Sequence, residues 1–352
     1  MRSFLVIFAF ALAYWSVGCR HRNTAVAEAE AVDSIPLRSI RIVFVGDVMV
    51  HTPQIAKAYI GNCYDFMQTF KYMKPIFKGA DLVVANLETT LAEMPPYTGY
   101  PRFRSPASVA DALKKAGVDA VVMANNHTLD YGADGVRQTL QILEDRGIMH
   151  TGTFADSTDY IANNPLFIER RGVRVAILNY TYGTNGIPAR DGIIVNHIDT
   201  TLIKHDITKA AMEADCTIAY LHWGNEYARH ENDAQRRIAE FFHRNGARTV
   251  IGAHPHVVQP YDQTDSTVTI YSLGNFVSNQ RKRYCDGGLI ATLDISFVGD
   301  SVAYVLELMP TWVRRADYAV IPQCVGDTLS MSRADSVAYH LFMADTAELL
   351  GK

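Results

Sequence analysis

The stretch Ile40-Arg41-Ile42-Val43-Phe44-Val45-Gly46-Asp47 decides the fold. Its β-branched and aromatic side chains make a strand, and Gly46-Asp47 ends that strand in a turn carrying a carboxylate. Working outward, residues 81–86 (Asp-Leu-Val-Val-Ala-Asn) form a second buried strand and residues 120–124 a third. Between them Ser105-Pro106 supplies an N-cap and first helical residue, Val109, Leu113 and Ala116 line one helix face, and Gly117 stops it. A second helix over 134–146 carries Val136, Leu140 and Leu143 on one side and ends at Gly147. Strands follow at 174–180, 217–221 and 249–251, separated by helices at about 200–214 and 231–245. Residues 267–272, 288–297 and 302–308 then alternate without helices, as in an antiparallel meander. The order predicts a largely parallel sheet with helices on both faces, then an all-β stretch. With no internal repeat and no linker, one domain is expected, and residues 329–350 form a packing helix.

Length and composition fit this picture. A chain of 352 residues with 48% hydrophobic and 20% charged residues is ordinary globular material. The net charge of −4 comes without a basic stripe of the kind that neutralises phosphates, which argues against nucleic acid as a partner. The N-terminus points out of the cytoplasm. Arg2 precedes an apolar stretch over residues 4–15 that is of signal-peptide length and short for a bilayer span. Ser16-Val17-Gly18-Cys19 follows and resembles a lipoprotein cleavage site, with Cys19 as the lipidated residue; plain cleavage near Gly18 is the alternative. The expected organisation is a signal segment (1–19), a tether (20–38), the main domain (39–310) and a C-terminal extension packed on it (311–352). Cys63, Cys216, Cys285 and Cys324 remain, an even number that permits disulfides, although Cys216 in its apolar run reads as a buried hydrophobe.

The polar residues fall at strand ends. Asp47 follows the first strand, Asn86 and Glu88 the second, and Asn125-Asn126-His127 the third. His222-Trp223-Gly224 and His254-Pro255-His256 follow two later strands. In an open parallel sheet the carboxyl ends share one edge, where ligands bind. Taken singly, each has an ordinary explanation: a turn, a helix cap, a hydrogen-bonded core histidine, a rigid loop. Five strand ends delivering carboxylate, amide and imidazole together point to a metal site for Zn, Mn or Fe. If residues 254–256 are extended, His254 and His256 point the same way and reach one ion or two. The set suffices for two divalent ions about 3.5–4 Å apart, as in hydrolytic two-metal sites.

At seven ordered motifs the sequence resembles the CapA capsule-synthesis family, which includes proteins of poly-γ-glutamate synthesis. These are Val45-Gly46-Asp47-Val48-Met49, Ala85-Asn86-Leu87-Glu88, Phe103-Arg104-Ser105-Pro106, Ala124-Asn125-Asn126-His127, Leu221-His222-Trp223-Gly224, Gly252-Ala253-His254-Pro255-His256-Val257 and Tyr271-Ser272-Leu273-Gly274-Asn275-Phe276. The resemblance implies a four-layer α/β/β/α sandwich of the metallophosphoesterase type, with the late meander supplying its second sheet. It implies Asp47 and His256 on a first metal, Asn126, His222 and His254 on a second, Glu88 bridging, and His127 as proton donor to the leaving group. Asn86, His51, Arg104 and Asn275 are candidate substrate contacts; Arg104 pairs well with carboxylate or phosphate. Two departures stand out from metallophosphatases. Their first-strand Asp-x-His is replaced by Asp47 with His51 four residues on, and their Gly-Asp-x-x-Asp by Asn86-x-Glu88. The implied activity is two-metal hydrolysis or transfer on an anionic envelope polymer or cell-wall peptide. The alternative is a non-catalytic, metal-stabilised part of a polymer synthesis or export complex.

Overall fold

In the computed structural model, residues 38–299 and 301–351 are described. The expected signal segment, Cys19 and the tether up to residue 37 lie outside the described residues. Alternation along the first strand, Arg38–Val48, sets the layers. Ile40, Ile42 and Phe44 point into one apolar core, while Val43 and Val45 point into another. The neighbouring strand Leu82–Leu87 divides likewise, Leu82 and Val84 to the first core and Val83 and Ala85 to the second. Both faces are covered, hence the unbroken apolar runs in the sequence.

The parallel strands do not form one sheet. Arg38–Val48, Leu82–Leu87, Ala120–Val122 and Met149–Thr151 lie side by side in a first sheet. Val173–Thr181, Cys216–His222, Thr249–Ala253 and Val268–Ile270 form a second, edged by the antiparallel Leu166–Arg170 and Tyr261–Gln263. Cys216, Ile218 and Tyr220 face the first sheet's Ile42 and Phe44 across the central core, and the Tyr220 hydroxyl donates to the Val45 carbonyl at 2.8 Å. Helices cover each outer face. Ser108–Ala116 and Gly132–Asp145 pack on the first sheet through Val109, Leu113, Val136 and Leu140. Thr200–Glu213 and Asp233–Arg244 pack on the second through Ile203, Ile207, Ala239 and Phe242. The result is the α/β/β/α sandwich.

Two expectations are corrected. The meander is divided between the sheets: Val268–Ile270 joins the second, parallel to Thr249–Ala253, whereas Gly287–Val298 pairs antiparallel with the first strand (Ile42 opposite Leu293) and Ser301–Val313 extends that first sheet. A long antiparallel hairpin needs an open edge, and the first strand offers one on the side away from Leu82–Leu87. The helix after residue 105 begins at Ser108, because Arg104–Pro106 is a short strand beside Thr90–Ala92, fastened by a 2.7 Å Thr89–Ser105 hydroxyl contact. No disulfide joins the described cysteines; Cys216 and Cys285 are buried thiols. The C-terminal helix Arg333–Leu350 lays Tyr339, Phe342 and Met343 on the central core, and Ser301–Val313 runs unbroken past residue 310. Among the described residues no helix is long and apolar enough to cross a membrane.

Candidate metal centre

The carboxyl ends of both sheets meet. Asp47 is the penultimate residue of Arg38–Val48, Glu88 directly follows Leu82–Leu87, and Asn126 lies in the turn after Ala120–Val122. From the second sheet, His222 closes Cys216–His222, and His254 and His256 follow Thr249–Ala253. All six side chains are buried, the carboxylates of Asp47 and Glu88 fully. Asp47 reaches its place because Gly46 lets two backbones touch: a Cβ there would lie 1.9 Å from the Gly274 carbonyl oxygen. That approach allows the Asp47 amide to donate to the same carbonyl at 3.0 Å.

Inside the cluster Asp47 Oδ2 lies 2.9 Å from His256 Nδ1, and Asp47 Oδ1 accepts from the Asn86 amide at 2.8 Å. His222 Nε2 is 2.8 Å from Asn126 Oδ1. Glu88 Oε1 sits 3.6 Å from His222 Nε2 and 3.9 Å from His256 Nε2. Neither Glu88 oxygen has a hydrogen-bond partner, and His254 Nδ1 is likewise buried without one. Buried polar atoms are almost always paired, so three orphans in one cluster call for a ligand. The donor set fits a metal: ligand atoms of Glu88, His222 and His254 converge, as do those of Asp47, Glu88 and His256, and Glu88 is common to both groups.

Electrostatics agrees. Burial, reinforced by Asp47, pushes the Glu88 carboxyl well above its usual range. Burial and neighbouring imidazoles hold His222 well below its ordinary value and bring His254 down to about 3. Neutral imidazoles and a carboxylate that is costly to ionise alone are what a cation would relieve.

The turn His254-Pro255-His256 differs from expectation. Both histidines adopt left-handed backbone (φ 98° and 58°) and are not extended. The backbone strain is characteristic of functional sites, and the turn brings the two rings to 5.9 Å, with His254 also 4.7 Å from His222. His127 stands beside the cluster, its Nδ1 2.8 Å from Asp130 Oδ2, which also accepts the Phe103 amide at 2.6 Å.

The candidate substrate contacts separate. Asn86 works inside the cluster, holding Asp47 and accepting from Asn125 at 3.3 Å. Asn275 is buried beside Asp47; its amide nitrogen contacts the Cys285 and His256 carbonyls, while its Oδ1 is unpartnered. His51 falls in none of the carboxylate–imidazole groups: it precedes the helix Thr52–Ala58, accepts the Asn279 amide at 3.3 Å and meets the Phe103 ring edge-on. Arg104 is not brought to the centre. Its guanidinium binds the Met94 and Pro96 carbonyls and lies over Tyr131, bracing a loop. Two residues emerge that the strand-end reading missed. Asp130 is the partner of His127, and Glu226 converges with His254 and His256; Tyr182, just past Val173–Thr181, lies tilted against His254 at 4.5 Å. Asp130 and Glu226 were visible only as acids three and four residues beyond His127 and His222.

The chain is 30% identical over 243 residues to the PGA biosynthesis protein CapA of Bacillus subtilis (strain 168), covering 67% of this chain and 63% of that protein. It is 29% identical over 345 residues to the capsule biosynthesis protein CapA of Bacillus anthracis, covering 92% of this chain and 79% of that one. The profile of the bacterial capsule synthesis protein PGA_cap matches residues 41–280, which span every residue of the cluster above. The chain therefore belongs to the bacterial capsule synthesis protein PGA_cap family, of metallophosphoesterase-like fold.

Proposed function

We propose that the protein is a metal-dependent hydrolase or transferase of the cell envelope acting on an anionic polymer, of γ-linked polyglutamate type or a cell-wall peptide. The observation that carries this reading is Glu88: a fully buried carboxylate without a hydrogen-bond partner, set between His222 and His256. Asp47 and His256 would hold one divalent ion (Zn, Mn or Fe), Asn126, His222 and His254 a second, with Glu88 shared. Such ions supply Lewis acidity and a water acidic enough to act near neutral pH. His127 would give a proton to the leaving atom, with Asp130 orienting its ring by accepting a hydrogen bond from Nδ1–H. The names of the Bacillus relatives support a role in capsule-type polymer synthesis. The N-terminal sequence supports export, with a lipid anchor at Cys19 holding the protein to the membrane.

The test begins with elemental analysis of purified protein beside an Asp47→Ala/His254→Ala variant. About two equivalents of a transition metal, lost in the variant, is the expected result. Metal-loaded protein should then shorten or transfer γ-linked polyglutamate, and His127→Ala should abolish this while keeping its metal. Folded protein without metal would sink the hydrolase reading. Metal binding without any turnover would leave the non-catalytic component of a synthesis complex as the better account.

A further inference from the structure

We propose that Lys282 forms a carboxylate-binding subsite at the His256 side of the metal cluster, holding an acidic group of the polymer beside the reacting bond. This rests on the function proposed above and narrows it to one side chain.

Two loops rise over His256. One follows Cys216–His222 and carries Glu226, Tyr227 and Arg229; the other follows Asn275–Val277 and carries Arg281-Lys282-Arg283 and Tyr284. That triplet is a local basic concentration in a chain whose net charge is −4. Both loops are tied to the cluster. The Tyr227 amide donates to the Pro255 carbonyl at 2.8 Å, and its ring lies 6.1 Å from His256. Asn275 donates to the Cys285 carbonyl at 2.7 Å and to Gln280 Oε1 at 3.0 Å, fastening the second loop beside Asp47.

Each loop holds a bulky aromatic in left-handed backbone, Tyr227 at φ 66° and Tyr284 at φ 76°. Such strain costs stability and points to a constraint other than folding. The C-terminal helix braces the pair through Asp345, which takes two hydrogen bonds from Arg283 at 2.8 and 3.1 Å and whose carbonyl accepts from Arg229 at 2.7 Å. Arg283 is thereby neutralised, and Arg229 is half-buried against Tyr284.

Lys282 is treated differently. It is exposed, has no ion-pair partner among the described residues, and its Nζ sits 3.7 Å from the centre of the Tyr227 ring. A ring holds an ammonium in place without neutralising it, which keeps the charge ready for an incoming anion. The nearby acid, Glu226, converges with His254 and His256 and so faces the cluster. A carboxylate approaching the ions from this side meets Lys282 at the rim.

The test is fluorescence anisotropy of a labelled γ-linked oligoglutamate with metal-loaded protein, beside an amidated, uncharged oligomer of equal length. The variants are Lys282→Ala, Lys282→Glu and, as a distant exposed lysine, Lys74→Ala. Lys282→Ala should weaken binding of the acidic chain roughly five- to tenfold, and Lys282→Glu more. Binding of the uncharged chain and metal content should not change, and Lys74→Ala should match the wild type. If the wild type prefers the acidic chain and Lys282→Ala binds it equally well, the subsite is wrong and the proposed function stands. Equal losses in Lys74→Ala and Lys282→Ala mean diffuse attraction and also overturn the subsite. A wild type that does not bind the acidic chain removes the anionic-polymer reading and this assignment with it.

Discussion

Replacing Glu88 by Gln should reverse the order of stability between the metal-free and metal-loaded states. In the metal-free protein both Glu88 oxygens are buried and unpaired, with burial and Asp47 opposing ionisation. A buried polar group left unsatisfied costs about 1–3 kcal/mol, and more when charged. The neutral isostere removes the charge from that cost. For a fold of this size 1 kcal/mol corresponds to roughly 1.5–2 °C, so chelator-treated Glu88→Gln should melt about 2–5 °C above the wild type. With metal the sign changes. An ion at a thousandfold excess over its Kd stabilises the native state by about 4 kcal/mol, or roughly 6–8 °C. The wild type should gain this and the variant should lose most of it, since Glu88 belongs to two of the three ligand groups. Differential scanning calorimetry of both proteins, with chelator and with Mn or Zn, reads all four values. A variant that melts lower than the wild type in chelator, yet shows the same rise with metal, would mean that Glu88 is structural and that the orphaned carboxylate has been misread.

Three other outcomes are expected. The metal-free protein should lose stability as pH falls from about 6.5 towards 4: burial holds His254 at about 3, His51 at about 4 and His222 well below its usual value, while the unfolded chain protonates each near 6.5. The unfolded state then binds more protons, and each group contributes up to about 1.4 kcal/mol per pH unit. Glu88 acts in the opposite sense, but one carboxyl faces three imidazoles; a denaturation midpoint that stays flat or rises over this range, or that His51→Asn leaves equally steep, would contradict the assignment. Gly46→Ala must displace either the Gly274 carbonyl or Asp47, because its Cβ would sit 1.9 Å from that oxygen. It should cost about 3 kcal/mol and most of the bound metal, and wild-type values in urea denaturation and elemental analysis would refute it. Asp130→Ala should keep its metal but lower polymer turnover at least about tenfold, as loss of an orienting partner does; unchanged turnover would show that His127 needs no such support.

Why some of this was legible and some not follows from particular residues. The residue types after each strand can be read directly, so Asp47, Glu88, Asn126, His222, His254 and His256 could be picked out; the acids and imidazoles converge, and Asn126 joins them through His222. The division into two sheets was not legible from periodicity. Strands of both sheets are apolar on both faces: Ile42 and Val43 face opposite cores, and so do Ile218 and Ala219. Nothing in those patterns distinguishes one doubly covered sheet from two singly covered ones packed together. The left-handed turn at His254 and His256 was hidden for a different reason, since a residue before proline prefers extended backbone, and His254 is held at φ 98°.

The departures from the metallophosphatase pattern look compensatory once the side chains are placed. Where an aspartate is usual, Asn86 supplies an amide that donates to Asp47 Oδ1 at 2.8 Å, an interaction that an ionised carboxylate could not make. Asn86 thus changes from a possible ligand into the group that aims one. The carboxylate moves two residues along to Glu88, whose extra methylene carries Oε1 to within 3.6 and 3.9 Å of imidazoles from two different strand ends. The first-strand histidine has no such substitute in sequence: His51 packs against Phe103 and takes the Asn279 amide. Its place near His254 and His256 is instead open to Glu226, which comes from the second sheet's loop. The second sheet thus contributes His222, Glu226, His254 and His256 to the convergent groups, and the first sheet Asp47 and Glu88. On the proposed function, substrate would meet the loops of that side, where Tyr182 lies against His254, Tyr227 against His256, and Lys282 over the Tyr227 ring.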